Sequence, residues 1–274
     1  MTLRRALMLT LLCILIAIPG TEGLLQMFDP LGVYTRQVDW HIFYNHLEAH
    51  ETGYRLPTGT LHMTGYSATI NVDGTRYTPD TAIGADCTIA AVGDSMTFGM
   101  GANDADVWVN QLAGRYADVK FINTGRPRYN IMDVLALIQH YPADGYVYLH
   151  TLNDDQPNDW QAWLSRGYVE PFKPALYYYW HHLRDTRPVT RDRFVTDEDM
   201  HRRALADIAA IDSVLIIAFD NDWLLDRLPD DTVIIPWHNN PISPADAHPN
   251  RAGHERMADE IHPHIDDFLA GVCQ

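Results

Sequence analysis

Lysine is almost missing from this chain of 274 residues: only Lys120 and Lys173 occur. Lysine and arginine together number 20 against 36 aspartates and glutamates, which gives a formal net charge of −16. Binding to the phosphates of nucleic acids needs clustered basic side chains, so this composition argues against a nucleic-acid partner. The excess of acidic groups is instead typical of a protein kept soluble by self-repulsion.

Cysteine is also scarce, and metal-ligand patterns are missing. The three cysteines are Cys13, Cys87 and Cys273, and the 14 histidines, among them the pair His181–His182, show no spacing typical of a zinc site. A phosphate-binding P-loop is disfavoured as well, because the glycine-rich stretch VGDSMTFGMG has no lysine. The sequence therefore predicts neither a metal nor an organic cofactor.

A long apolar run occurs at only one place, near the N-terminus. Residues 6–18 carry no charge and follow Arg4 and Arg5. Such a run is typical of a signal peptide or a short membrane anchor, which we assign to residues 1–23, with the arginines on the cytoplasmic side. The rest of the protein is then expected outside the cytoplasm, either secreted or held at the membrane by this segment alone.

Two different patterns follow. Residues 24–86 contain short β-rich runs separated by glycine and proline, with a turn at Asp73–Gly74, and are interpreted as an irregular β-containing extension. From Cys87 onward, apolar strand-like runs alternate with helical patterns, which predicts a parallel sheet covered by helices on both faces. The predicted strands are 87–94, 119–125, 145–153, 213–220 and 232–237, and the predicted helices are 106–117, 130–141 and 251–270.

Residues 154–210 interrupt this regularity. They are rich in aromatic residues and arginine and are interpreted as a mostly helical insertion after the third strand. Two interpretations stay open: the insertion caps a pocket, or it packs on the surface of the body.

The topology also bears on the cysteines. Cys87 begins the first strand of the sheet, and the last helix runs away from the strand ends, so Cys273 reaches the same end of the sheet as Cys87. A disulfide is geometrically possible, and export would permit it. Two free buried thiols are the alternative.

Polar residues follow the predicted strands at the points where the strands end. Parallel strands bring these loops to one edge of the sheet. That edge would gather Ser95, Gly125, Asn153, Asp246 and His248. A serine nucleophile needs an adjacent base, a histidine can move its proton, and a carboxylate can orient the histidine. Each residue alone could be a turn or helix-capping residue, and only the joint arrangement favours catalysis.

The blocks GDSMTFG, NTG, LND and DAHPN, in this order, resemble those of the SGNH (GDSL-type) hydrolase superfamily. The resemblance covers about residues 87–270, within a domain assigned to 87–274, and implies a flavodoxin-like three-layer α/β/α fold that hydrolyses esters through an acyl-serine. It further implies that Ser95 is the nucleophile, His248 the base and Asp246 the orienting acid. Ser95, Gly125 and Asn153 would form the oxyanion hole.

Two positions depart from the usual family pattern. Thr151 stands where the third block commonly has glycine, and Ala245 stands where the family commonly has its acid, so that Asp246 has a variant spacing to the histidine. A backbone carbonyl could orient the histidine instead.

Further candidate contacts to substrate are Asp94, Asp154 and His238.

The sequence thus favours an exported serine esterase acting on short-chain, acetyl-type esters of small molecules or glycans, including polysaccharides. Two alternatives remain at this point. One is a polysaccharide O-acyltransferase that uses the same site, and the other is a glycan-binding module without catalysis.

Overall fold

The computed structural model describes residues 3–79, 84–157, 172–185 and 196–273. Its centre is a five-stranded sheet in the order β6-β5-β7-β8-β9, in which every neighbouring pair is parallel. The strands are β5 (Cys87–Gly93), β6 (Val119–Asn123), β7 (Gly145–His150), β8 (Val214–Phe219) and β9 (Val233–Ile235). Each lies within a predicted strand, and the predicted parallel sheet is confirmed.

Helices cover both faces of this sheet. On one face α5 (Ile131–His140) and α7 (Glu198–Ala209) pack over β5, β7 and β8; on the other lie α4 (Trp108–Ala113) and α8 (Arg251–Val272). Alternate residues of β5 serve the two layers, with Ala90 and Val92 in one core and Ile89 and Ala91 in the other. The three-layer α/β/α fold is therefore confirmed.

The last helix follows its predicted apolar stripe. Met257, Ile261 and Ile265 are buried in the core, and Phe268 and Leu269 pack against it. The helix continues through Pro263 to Val272. Cys273 follows at its end and forms a disulfide with Cys87, so the structure contains the bridge rather than two free thiols.

The segment before the sheet is more helical than predicted. It contains the short strands β1 (Glu48–His50), β2 (Gly53–Arg55), β3 (Gly59–His62) and β4 (Ser67–Ile70), but also helix α2 (Val33–Asn45), which the sequence analysis missed. The buried residues of α2 are Val33, Asp39 and Phe43. Because a charged residue stands in the middle of the buried face, no clear apolar period marks the helix.

The N-terminal apolar run also extends further than predicted. Helix α1 covers Leu3–Phe28, and its part Leu7–Phe28 is long and apolar enough to cross a membrane. Twelve of the large apolar side chains of α1 are strongly exposed, ending with Leu24, Met27 and Phe28. The apolar segment is therefore not limited to 6–18.

The predicted insertion at 154–210 lies partly outside the described residues. Within the described part, α6 (Ala175–Arg184) and α7 are helical. Helix α6 packs mainly against α1 and α2.

Candidate active site

The edge formed by the strand ends carries an open cleft with a volume of about 790 Å³. Ser95, Asn153, Asp246 and His248 all line it, together with Asp94 and Thr151. Four of the five candidates that follow the predicted strands therefore line one cavity.

Ser95 is held by a sharp turn between β5 and the short helix α3 (Ser95–Phe98). Gly93 precedes the turn with φ +149°, and a Cβ there would lie 2.4 Å from Thr97 Oγ1, so only glycine fits. Asp94 caps α3 by accepting a hydrogen bond from Met96 N at 2.8 Å. The turn therefore fixes the backbone that presents the Ser95 side chain to the cleft.

His248 lies between Ser95 and Asp246. Its Nε2 is 2.9 Å from Ser95 Oγ, and its Nδ1 is 2.5 Å from Asp246 Oδ1. The variant spacing works because both residues lie on strand β11 (Asp246–Pro249), which pairs with β10 (Pro241–Ser243) and in which side chains two residues apart point to the same side. A carboxylate, not a backbone carbonyl, thus contacts the second ring nitrogen.

The electrostatics of Asp246 suit an orienting role. Burial alone would raise its pKa, but the hydrogen bonds and charge of His248, helped by Arg36, hold the pKa below its usual range. The Arg36 guanidinium also donates to the carbonyl oxygen of Ala245 and so supports the start of β11. Asp246 therefore remains a carboxylate at neutral pH and can hold the His248 ring in place.

Asn153 and Thr151 stand beside the serine. Thr151 Oγ1 donates to Asp94 Oδ2 at 3.0 Å and lies 3.2 Å from Asn153 Oδ1. Asn153 also hydrogen-bonds Asp94, whose pKa is nonetheless raised by burial. The threonine that replaces the usual glycine is thus tied to the residue before Ser95 and to Asn153.

Contrary to the expectation from the sequence, Gly125 does not line the cleft. Its N–H donates to Asn123 Oδ1 at 3.0 Å. A Cβ on this residue would lie 2.3 Å from Phe98 N, because the loop after β6 packs directly on α3. The structure therefore places Gly125 in close backbone packing, with its N–H bonded to Asn123.

Two further candidates are also placed elsewhere. Asp154 is fully buried and accepts hydrogen bonds from Tyr148 Oη at 2.6 Å and Thr151 N at 2.9 Å. His238 lies outside the cleft lining and contacts Glu260 on α8 at 3.2 Å. Asp94 does line the cleft, but its carboxylate is occupied by helix capping and by Thr151.

Helix α2 supplies the wall that the sequence analysis missed. Arg36, Gln37, Trp40, His41 and Tyr44 line the cleft, and the Trp40 ring lies 6.1 Å from the His248 ring. The Arg128 guanidinium, from the loop after β6, lies 5.2 Å above Trp40. Trp223 and Trp237 complete an aromatic lining on the side of β8 and β9. The only sequence signal for this wall is its aromatic content, which does not distinguish a cleft from a core.

The buried Asp154 leads to a prediction about pH. Burial raises its pKa to about 7, so the folded protein holds this proton more tightly than the unfolded chain does. Its contribution to stability is present below the unfolded pKa and is lost as pH rises toward 7. Asp154→Asn keeps an acceptor for Tyr148 and Thr151, and we expect its melting temperature relative to wild type to rise between pH 4 and pH 7.5. A constant difference across this range, measured by thermal unfolding, would contradict the assignment.

The chain was compared with known proteins. No protein-family model and no curated protein matches it. Among solved structures, it is similar to a psychrotrophic esterase from Pseudoalteromonas sp., with 14% identity over 68% of this chain and 100% of that chain and a TM-score of 0.41. It is also similar to an acetylxylan esterase from Geobacillus stearothermophilus, with 13% identity over 66% and 94% of the two chains and a TM-score of 0.37. A lipolytic protein of the G-D-S-L family from Veillonella parvula has 14% identity over 64% and 96%, with a TM-score of 0.36.

The chain's own fold and site define its class. At the carboxyl ends of the strands of a parallel sheet, a serine is hydrogen-bonded to a histidine, which is hydrogen-bonded to an aspartate. The blocks that contain them stand in SGNH order along the chain. The resemblance to the SGNH (GDSL-type) hydrolases is thus supported by the geometry as well as by the motifs.

Proposed function

We propose that the protein is a serine esterase that hydrolyses short acyl esters through an acyl-Ser95 intermediate. The observation that carries the proposal is the continuous hydrogen-bonded series from Ser95 Oγ through His248 to Asp246 on the wall of an open cleft. A structural serine has no need of a histidine whose other nitrogen is held by a carboxylate.

The reaction follows from this geometry. His248 Nε2 takes the proton of Ser95 Oγ as the oxygen attacks the ester carbonyl carbon, and Asp246 stabilises the imidazolium that forms. The tetrahedral intermediate collapses when His248 returns the proton to the departing alcohol. Water then attacks the acyl-serine by the same route, which releases the acid and restores Ser95.

The oxyanion of this intermediate needs hydrogen-bond donors. We assign the backbone N–H of Ser95, at the first turn of α3, and the side-chain amide of Asn153. Arg128, which lines the same cleft and lies over Trp40, adds positive charge to the cleft wall. Gly125 contributes indirectly, because its lack of a side chain lets α3 approach the loop.

The cleft is much larger than an acetyl group needs. Its volume of about 790 Å³ and its aromatic lining leave room for a bulky alcohol portion such as a sugar. The same space favours a second candidate, an O-acyltransferase that passes the acyl group from Ser95 to a glycan hydroxyl. The acetylxylan esterase among the similar structures is in keeping with a carbohydrate ester as substrate.

We further propose that the body lies outside the cytoplasm. Arg4 and Arg5 precede the apolar part of α1, and basic residues remain on the cytoplasmic side of such segments. The disulfide between Cys87 and Cys273 is in keeping with an oxidising compartment.

The proposal is tested by intact-mass labelling with a fluorophosphonate, together with turnover of p-nitrophenyl acetate and butyrate. We expect one adduct on the wild type, none on Ser95→Ala, and turnover that is lost with the adduct. A folded wild type with neither adduct nor turnover would favour a glycan-binding module. An acylated glycan formed only when acceptor is added would identify a transferase.

A further inference from the structure

Two histidines and a glutamate from separate parts of the chain come together at the end of helix α5. His50 is the last residue of strand β1, Glu51 follows it in the turn to β2, and His140 is the last residue of α5. One ligand atom from each side chain, a ring nitrogen or a carboxylate oxygen, lies within 4.8 Å of the other two. No local spacing in the sequence indicates this group, because His140 stands far along the chain from the other two residues. We call these three residues the histidine cluster.

Direct contacts within the histidine cluster join the turn to the helix. His140 Nδ1 lies 2.9 Å from Glu51 Oε1. The rings of His50 and His140 are nearly perpendicular, with their centroids 5.2 Å apart. The two imidazoles and the carboxylate therefore share one small space between the β1–β2 turn and the end of α5.

This set of donors suits a transition-metal ion. Imidazole nitrogens and carboxylate oxygens bind Zn²⁺ together, whereas Mg²⁺ and Ca²⁺ prefer sites made of oxygens alone. Three protein ligands leave the fourth position of a tetrahedral ion to water. A bound ion would draw the three ligand atoms closer together. Glu51 and His140 can turn toward it, because their side chains are 72% and 29% exposed.

The His50 ring is held from behind by a buried residue. Its Nδ1 lies 2.9 Å from Oγ1 of the buried Thr52, which can accept the Nδ1 proton and leave the lone pair of Nε2 for a ligand. In the other tautomer Nδ1 accepts from Thr52 N, which is the longer contact at 3.3 Å. Thr52 is fixed in turn, because its carbonyl oxygen accepts from Tyr129 Oη at 2.7 Å. Such a support of the second ring nitrogen is typical of histidines that bind metal ions.

The charges around the histidine cluster also permit a cation. Burial, together with the charges of His140 and Arg126, lowers the pKa of His50, so its ring is neutral at pH 7, the form that binds metal ions. Arg55 on β2 is paired with Glu48 at 3.0 Å. Glu51 supplies a negative charge to the cluster itself.

We propose that the histidine cluster binds a divalent transition-metal ion of the zinc type, and that the ion fastens the β1–β2 turn to the end of α5. None of the three residues lines the cleft, so the ion takes no part in the ester chemistry. The turn belongs to the same extension as the wall helix α2, and the ion thus ties this extension to a helix that covers the sheet. Because the unfolded chain does not hold His50 beside His140, the ion stabilises the folded form.

The site is tested with Zn²⁺ as the probe. The full-length protein without an affinity tag is treated with a chelator in detergent and titrated with Zn²⁺ by isothermal calorimetry. We expect one tightly bound ion per chain and a rise in melting temperature that a chelator reverses. Mg²⁺ should produce neither effect.

Variants of the ligands make the test specific. His140→Asn should weaken Zn²⁺ binding by roughly 100-fold or more, since loss of a ligand costs more than loss of a supporting hydrogen bond. Glu51→Gln keeps the size of an exposed side chain, so it should fold like wild type, and should weaken binding by about tenfold or more. The control His46→Asn removes an exposed histidine just before β1 that contacts Ile42 O and lies outside the cluster. It should bind Zn²⁺ like wild type.

The supporting hydrogen bond gives a separate readout. Thr52→Val keeps the shape but removes the hydroxyl beside His50, and should weaken Zn²⁺ binding by about 10- to 100-fold, whereas Thr52→Ser should retain it. A folded wild type that takes up no stoichiometric Zn²⁺ would overturn the proposal. Binding that is unchanged in both His140→Asn and Glu51→Gln would overturn it as well, because the ion would then lie elsewhere.

Discussion

Replacing His248 by alanine is expected to lower kcat for p-nitrophenyl acetate by about 10⁴-fold or more. The hydroxyl of a serine is a weak nucleophile, and His248 Nε2, 2.9 Å from Ser95 Oγ, is its proposed base. Because the histidine acts on the chemical step, the loss is expected in kcat and not in KM. Steady-state kinetics with both p-nitrophenyl acetate and butyrate measure the two parameters.

A graded comparison makes this prediction specific. Asp246→Asn keeps the shape but removes the charge that holds Nδ1, so kcat should fall by roughly 10²- to 10⁴-fold. His264→Ala alters an exposed histidine on α8 and should leave kcat unchanged. A His248→Ala variant that is folded and within tenfold of wild type would rule out the proposed mechanism.

Removing the disulfide is expected to have the largest effect on stability. Cys87 and Cys273 are separated by 186 positions, and closing so long a loop restricts the unfolded chain. The chain-entropy relation gives a loss of about 5 kcal/mol in the free energy of unfolding for Cys87→Ala/Cys273→Ala. Urea unfolding of the full-length protein in detergent, followed by circular dichroism, measures it.

The third cysteine supplies the control. Cys13 is free and exposed on the apolar helix α1, so Cys13→Ala should unfold like wild type. A reductant should destabilise wild type and Cys13→Ala but have no further effect on the double variant. A double variant within about 1 kcal/mol of wild type would show that the bridge contributes little.

The catalytic candidates could be predicted because they follow from topology. Once the strands are known to be parallel, their ends share one edge, and Ser95, Asn153 and His248 must meet there. The orienting acid could also be found, because Asp246 and His248 lie two apart on an extended segment. These inferences need only the apolar periodicity and the position of polar residues after each strand.

What failed depends on side-chain environments that no local pattern contains. Asp154 follows a strand like Asn153 does, but the turn at Thr151 directs it under Tyr148, into the interior. Gly125 was expected to donate to the cleft, and the neighbouring Asn123 takes its N–H instead. Helix α2 was missed because its buried Asp39 binds Thr64, which hides the apolar face from a reading of periodicity.

The disulfide links the opening strand of the sheet to Cys273 just after α8, and His248 follows Ser95 by 153 positions. A growing polypeptide therefore carries Ser95 long before it possesses the base. The proposed nucleophile gains its base only when strand β11 reaches the carboxyl-end edge of the sheet, so folding of the part that contains Ser95 does not by itself pair the serine with a histidine.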